Sequence, residues 1–313
     1  MNSDSRAREQ KKCKGNAALA WKSVARSSAI AILAGLAVCV ASGIAAQTPI
    51  VSQEKPNGAV ADSPCGHLSP MPAEIQKQMA VIQDALKAGK PMPPFTQEDV
   101  AAYKKWQEQG LLEDFGGNCR YESANASLPP ATDHRIVFMG DSITEGWGRM
   151  DPAFFTEDTI NRGISGQTTA QMLVRFRQDV VDLHPHAVHI LAGVNDLAGN
   201  AGPSSVSRVE SNIMSMVDMA KANHIEVVLA SELPATAIPL RPGMNVSAQI
   251  AALNVWLKDY AVKHGITFVD YYSKLVGEGG AFDPKLSMDG IHPNPAGYKI
   301  MEPMASDALH LGK

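Results

Sequence analysis

The chain has no Cys-x-x-Cys pair, and His67, close to Cys65, has no further ligands at zinc spacing, so a structural zinc site is not expected. It has no Gly-x-x-x-x-Gly-Lys and no Gly-x-Gly-x-x-Gly, which argues against a phosphate-cradling loop. Basic charge is not in excess: 28 Lys and Arg face 32 Asp and Glu, a formal net charge of −4, so nothing draws the chain to nucleic acid. Internal repeats are absent, and so is low-complexity sequence beyond one Ala-rich stretch. Aromatic residues make up only 6% and charged residues 19% of the 313, yet 45% are hydrophobic, enough to bury a core. Disordered, collagenous and multi-span membrane classes are thereby excluded.

The N-terminus has a charge pattern of its own. Arg6, Arg8, Lys11, Lys12, Lys14, Lys22 and Arg26 outnumber Asp4 and Glu9, and an uncharged apolar run from Ala29 to Val40 comes next, ending in the small-residue segment Ala41 to Ala46. Charged, then apolar, then small residues predict a secretory signal over residues 1–46, with export to the periplasm or the exterior and no stable membrane insertion once it is removed. The alternative is an uncleaved anchor, but the stretch is rich in Ala, Gly and Ser and marginal for spanning a bilayer. Leu36-Ala37-Val38-Cys39 is not read as a lipidation box, because Val38 is too bulky and an apolar run follows Cys39.

Beyond the signal two cysteines remain, Cys65 and Cys119. An even pair in an exported chain predicts one disulfide. Residues 47–130 read as a helical accessory arm: Ala73 to Ala88 has apolar residues at helical spacing, and Thr96 followed by Gln97-Glu98-Asp99 is an N-cap signal for a helix to about Gln109. Pro91, Pro93 and Pro94 separate the two helices.

Residues 131–313 change character after Pro129-Pro130, where short apolar runs begin to alternate with longer amphipathic ones. Strands are predicted at Arg135 to Met139, Thr159 to Asn161, Ala187 to Leu191, Glu226 to Ala230 and Thr267 to Val269. Helices are predicted at Thr168 to Leu183, Ser205 to Ala222, Ser247 to His264 and Pro295 to Leu311. The pattern specifies an α/β fold: a three-layer, doubly wound, flavodoxin-like parallel sheet of about five strands. Such sheets place ligands at the carboxyl ends of their strands.

The residues just after each strand therefore matter most. After the first comes Gly140-Asp141-Ser142-Ile143, which puts a hydroxyl on the turn leaving the sheet. Taken alone, Ser142 reads as an N-cap of the next helix; with partners it is a nucleophile. After the second comes Asn161-Arg162-Gly163-Ile164-Ser165-Gly166, where Gly163 is either a tight turn or a close-approaching N–H. After the third comes Gly193-Val194-Asn195-Asp196, where Asn195 is either a loop cap or a neutral donor suited to an oxyanion. Near the end, Asp289-Gly290-Ile291-His292 sets a carboxylate three residues before an imidazole, a spacing at which Asp289 orients His292 through Nδ1–H and leaves Nε2 for a nucleophile. Asp141 and Asp196 are assigned to loop structure, and His184, His186, His189 and His264 to surface or packing.

These four separated motifs, in this order, resemble the SGNH hydrolases, the GDSL-type esterase and lipase family. The likeness runs from about Arg135 to the C-terminus, so it leaves the arm outside. It implies Ser142 as nucleophile, His292 as base and Asp289 as acidic partner, with the Ser142 and Gly163 amides and the Asn195 side chain as oxyanion hole and no cofactor or metal. It also implies a small-molecule or carbohydrate ester as substrate, with short acyl groups favoured over the lipid acyl groups taken by lysophospholipase- or thioesterase-like members; the oligomeric state stays open. Two readings from other classes stand beside it. A metal-dependent phosphoesterase using Asp141, Asn195 and His292 is disfavoured by the absence of Asp-x-His and Gly-Asn-His-Asp segments. A non-catalytic glycan-binding module on the same fold is disfavoured by the intact set of reactive residues.

Overall fold

The computed structural model describes residues 64–87, 96–238, 241 and 243–311. The segment 1–46, expected to be a signal, and the proline-rich connection at 91–94 lie outside the described residues. Two helices come first, α1 at Ala73–Lys87 and α2 at Gln97–Glu113. Thr96 caps α2 as its sequence foretells, accepting from the Asp99 N–H at 3.1 Å while the Asp99 carboxylate accepts from the Thr96 N–H at 3.0 Å. The helix runs one turn past Gln109, through Gly110 to Glu113.

Five strands come next: β1 at Ile136–Gly140, β2 at Thr159–Gly163, β3 at Ala187–Leu191, β4 at Glu226–Ala230 and β5 at Thr267–Val269. All neighbours pair in parallel, in the order β2-β1-β3-β4-β5, the doubly wound arrangement of the flavodoxin-like class. Between and after them lie α3 at Ser142–Met150, α4 at Thr169–Asp179, α5 at Val206–Ala222, α6 at Ser247–His264 and α7 at Pro295–Ala308.

The core explains the sandwich. Alternate residues of β1 go to opposite faces: Val137 and Met139 pack with Met172 and Phe176 of α4, Ile213 and Met216 of α5, and Leu253 and Leu257 of α6. Ile136 and Phe138 pack with Ile143 and Trp147 of α3 and with Tyr298, Met301 and Ala305 of α7. A strand apolar on both faces belongs between two helical layers, and β1 sits inside the sheet between β2 and β3.

Predicted boundaries shift by a few residues: β1 runs Ile136–Gly140 instead of Arg135 to Met139, α7 ends at Ala308 instead of Leu311, and two further shifts have a physical reason. Strand β2 continues past Asn161 through Arg162 and Gly163, which stay in register with Met139 and Gly140 of β1; the Arg162 Nε donates to Asn125 Oδ1 at 2.8 Å and the guanidinium lies 4.6 Å from the Tyr121 ring centre. Helix α4 stops at Asp179, where Val180 departs from helical geometry, and Val181–Leu183 form a separate 3₁₀ turn instead of continuing the helix.

The disulfide expected between Cys65 and Cys119 is present, closing a separation of 54 residues. Around and beyond Cys119, the stretch from Asp114 to Asn125 lies along β2 and α4. Gln167 Nε2 donates to the Gly116 carbonyl at 2.8 Å, Gln171 Nε2 to the Phe115 carbonyl at 2.9 Å and Gln178 Nε2 to the Asn118 carbonyl at 2.6 Å. Among the described residues no helix is long and apolar enough to cross a membrane.

Candidate active site

Strand β1 delivers Ser142 to the carboxyl edge of the sheet. Asp141, not Ser142, is the N-cap of α3: its Oδ1 accepts from the Ile143 N–H at 2.9 Å. The Ser142 hydroxyl is therefore released from capping. Its Oγ stands 2.9 Å from His292 Nε2.

His292 is held by its own loop. Asp289 Oδ1 accepts from the N–H groups of Ile291 at 3.0 Å and His292 at 2.8 Å, while Oδ2 accepts from His292 Nδ1 at 2.7 Å. With Nδ1–H directed at a carboxylate, Nε2 is the acceptor facing Ser142. Gly290 turns the loop with φ 88°, a conformation that favours glycine. Ser287 Oγ closes it by donating to the His292 carbonyl at 2.9 Å. Just beyond, Asn294 caps α7 from the residue before Pro295, accepting from Ala296 and Gly297 at 2.9 Å and 3.0 Å.

The serine-bearing and histidine-bearing segments are tied to each other directly. Tyr298 of α7 is buried, donates its hydroxyl to the Ile143 carbonyl at 2.8 Å and stacks its ring on Trp147 at 5.7 Å between centres. Elements far apart in the chain thus keep one fixed separation where Ser142 and His292 meet.

Asn195 lies on a one-turn helix, Val194–Leu197, just after β3. Its side chain is oriented from both ends: Oδ1 accepts from Asn200 Nδ2 at 2.7 Å, and Nδ2 donates to Asp141 Oδ2 at 2.9 Å. That leaves one hydrogen of Nδ2 for another acceptor. Gly163 has no room for a side chain, since a Cβ would collide with the Glu145 backbone nitrogen. Its N–H donates to Asn161 Oδ1 at 2.9 Å and its carbonyl accepts from the Tyr121 hydroxyl at 2.5 Å. Ser142, Asp141, Asn195, Asp289 and His292 thus form one connected set, with Gly163 beside it, packed against α3.

The charges around the set oppose one another. Burial alone would depress the His292 pKa, but the Asp289 charge and hydrogen bond outweigh it and hold the pKa above the ordinary imidazole value. Burial pushes Asp289 up, and the attraction of His292 more than reverses that, leaving it below the usual carboxylate range. Asp141 is fully buried and pushed up to about 6, desolvation outweighing its bond to Ile143 and the attraction of His292. Asp196 turns away from the set and holds the start of α4, accepting from the Thr169 N–H at 2.8 Å and its hydroxyl at 2.6 Å. His189 is buried against Phe138 and Tyr271, its pKa driven down to about 3 by desolvation, so it stays uncharged as a core residue.

Three contacts go beyond the sequence reading. Asn161 stands two residues before Gly163, within the motif itself, and a side-chain carbonyl at that spacing from a glycine N–H is a signal that could have found it. Asp141 sits beside Ser142, yet its link to Asn195 spans 54 residues and has no local sign. Tyr121 reaches Gly163 across 42 residues, and nothing around Tyr121 marks it. Next to it, Arg120 pairs with Glu145 at 3.0 Å; Glu145 also pairs with Arg149 at 3.1 Å and accepts from the Ser165 N–H at 2.9 Å.

This site geometry coincides with a family likeness. Residues 138–300, from β1 into α7, match the GDSL-like Lipase/Acylhydrolase family. The chain belongs to that family. It is an SGNH-type ester hydrolase. A GDSL-like lipase from Bacteroides thetaiotaomicron VPI-5482 is 44% identical, with a TM-score of 0.61, over 63% of this chain and 98% of that one. An acylhydrolase-type structure from Bacteroides fragilis NCTC 9343 is 46% identical, with a TM-score of 0.62, over 63% of this chain and 97% of that one. Uncharacterized lipoprotein YqeF of Bacillus subtilis strain 168 is 34% identical over 80 residues, which cover 25% of this chain. The match spans 33% of the length of that curated relative.

Proposed function

We propose that this acylhydrolase cleaves carboxylic esters through an acyl-enzyme formed on Ser142. The carrying observation is the continuous relay from Ser142 Oγ to His292 Nε2 at 2.9 Å and from His292 Nδ1 to Asp289 Oδ2 at 2.7 Å. Ser142 Oγ attacks the ester carbonyl carbon as its proton passes to His292 Nε2, and Asp289 stabilises the imidazolium that results. The tetrahedral intermediate collapses, breaking the bond to the alcohol, which leaves with the proton from His292. Water then attacks the acyl carbon, again giving its proton to His292, and the acid departs as Ser142 regains its hydrogen. The oxyanion is held by the Ser142 and Gly163 amides and by the free hydrogen of Asn195 Nδ2. For Gly163 this requires the substrate oxygen to take the place of Asn161 Oδ1.

The substrates in this reading are short acyl esters, acetyl above all, of carbohydrates or related small molecules, met outside the cytoplasm after export of the chain. The polar neighbourhood of Asn195 supports it: Asn200 Nδ2 donates to Asn195 Oδ1 at 2.7 Å, and such an amide pair suits a hydroxylated leaving group better than a long alkyl chain. The Cys65–Cys119 disulfide and the basic-then-apolar N-terminus support export. The arm preceding β1 is an accessory segment that braces the β2 edge. Hydrolysis of p-nitrophenyl esters from acetyl to long chains, followed by acetylated oligosaccharides, tests the proposal. Highest kcat/KM on acetyl, with release of acetate from the oligosaccharides, is expected; rising kcat/KM with chain length contradicts it.

A further inference from the structure

Asn195 sits on the first turn of the helix Val194–Leu197, whose N-cap, Gly193, brings no side chain to the N–H groups at its start. The cap comes instead from the segment after β4. Glu232, only 1% exposed, reaches across 38 residues, and its Oε1 accepts from the Val194 N–H at 3.2 Å. Its own backbone is gripped by Asn254 of α6: the Glu232 N–H donates to Asn254 Oδ1 at 2.7 Å and its carbonyl accepts from Asn254 Nδ2 at 2.9 Å. At Gly193 φ is 147°, and a Cβ there would come within 3.3 Å of Glu232 Oε1 and 2.7 Å of Leu253. The carboxyl group is thus wedged against the turn that carries Asn195.

Its second oxygen, Oε2, is buried with no hydrogen-bond partner among the described residues. Burial first, and then the acidic charges of Asp141 and Asp196 nearby, hold its pKa well above the carboxylate range. An ionised carboxylate with one oxygen buried and unpaired is far costlier than a neutral carboxylic acid in the same place. A fixed negative charge behind Asn195 would also oppose the negative charge that forms on the substrate oxygen during acyl transfer. An uncharged acid caps the turn without that penalty.

We propose that Glu232 is a positioning residue for ester hydrolysis: as an uncharged cap it holds the Gly193–Asn195 turn so that Asn195 Nδ2 keeps its aim at the reacting carbonyl. This rests on the oxyanion role of Asn195 proposed above. Glu232 touches no substrate and acts through Asn195 alone.

The test compares E232A, E232Q, N195A and the double variant N195A/E232A on p-nitrophenyl acetate, each checked for folding by circular dichroism. E232A lowers kcat by about 10- to 100-fold, the scale of a displaced reacting group, with little change in KM. E232Q, which keeps the cap and carries no charge, recovers most of that loss. In the N195A background the E232A substitution costs less than about twofold, because the group it positions is gone. Should E232A not fold, E232D withdraws the carboxyl from Val194 by one methylene and is read the same way. The infrared difference between wild type and E232Q at neutral pH carries the C=O stretch of a protonated carboxylic acid. Wild-type kcat in E232A, or an equal loss with and without Asn195, overturns the proposal while N195A remains impaired. Unchanged kcat in N195A itself overturns the oxyanion reading and the route through it. A missing C=O band overturns the uncharged cap.

Discussion

Asn195 Nδ2 donates to Asp141 Oδ2 at 2.9 Å, so the residue immediately before Ser142 also orients the amide that comes after β3. One carboxylate therefore links two strand ends: Oδ1 caps the helix that begins at Ser142, and Oδ2 aims Asn195. This is the doubly wound topology put to use, since β1 and β3 are neighbours whose following segments meet at the sheet's carboxyl edge.

If Asn195 donates to the oxyanion, its interaction strengthens between bound ester and transition state. Asn195→Ala then lowers kcat by about 10²–10³ with little change in KM. Steady-state kinetics on p-nitrophenyl acetate check this. A raised KM at unchanged kcat would move Asn195 into the binding pocket.

The base in this scheme must be uncharged imidazole. Asp289 holds the His292 pKa above its ordinary value of 6.5, so kcat/KM falls as pH drops through a limb lying above 6.5. In Asp289→Asn the charge favouring imidazolium is gone, so the rate falls and the limb moves to lower pH. A limb that stays in place or moves up separates Asp289 from His292.

Much of this site was legible because its parts lie in short motifs at strand ends. The apolar runs of β1 and β3 locate Ser142 and Asn195, and the Asp-x-x-His spacing puts Asp289 and His292 together within one loop. Legibility ends where a contact depends on tertiary approach. Arg162 looks like the end of a strand until Asn125 and Tyr121 arrive to partner it. Asp141 and Ser142 are equally good cap residues by type, and no local signal says that Asp141 takes the cap while its second oxygen meets the distant Asn195. Glu232, just after β4, carries no local sign at all.

Arg175 of α4 is wholly buried, and its guanidinium ties its own helix to the loop before it and to β1: Nη1 pairs with Asp179 at 2.9 Å, Nε donates to Gln167 at 2.6 Å and Nη2 to the Gly140 carbonyl at 3.2 Å. Removing the carboxylate leaves a buried cation without its countercharge. Asp179→Ala is expected to lose about 3–5 kcal/mol of stability. An unchanged urea midpoint would contradict this.

The Cys65–Cys119 bond closes a 54-residue separation next to Arg120 and Tyr121. On a chain-entropy treatment it stabilises the fold by at most roughly 4 kcal/mol. The C65S/C119S double variant should show a lower urea midpoint that reductant no longer shifts. Equal midpoints for wild type with and without reductant would show that the bond contributes nothing.

The central claim, that Ser142 is the nucleophile of this ester hydrolase, is tested most directly by the turnover of purified Ser142→Ala on p-nitrophenyl acetate, with circular dichroism verifying the fold. The hydroxyl that meets His292 Nε2 at 2.9 Å is then gone, and kcat is predicted to fall by several orders of magnitude while the spectrum stays that of the wild type. A folded variant with wild-type turnover would contradict the account.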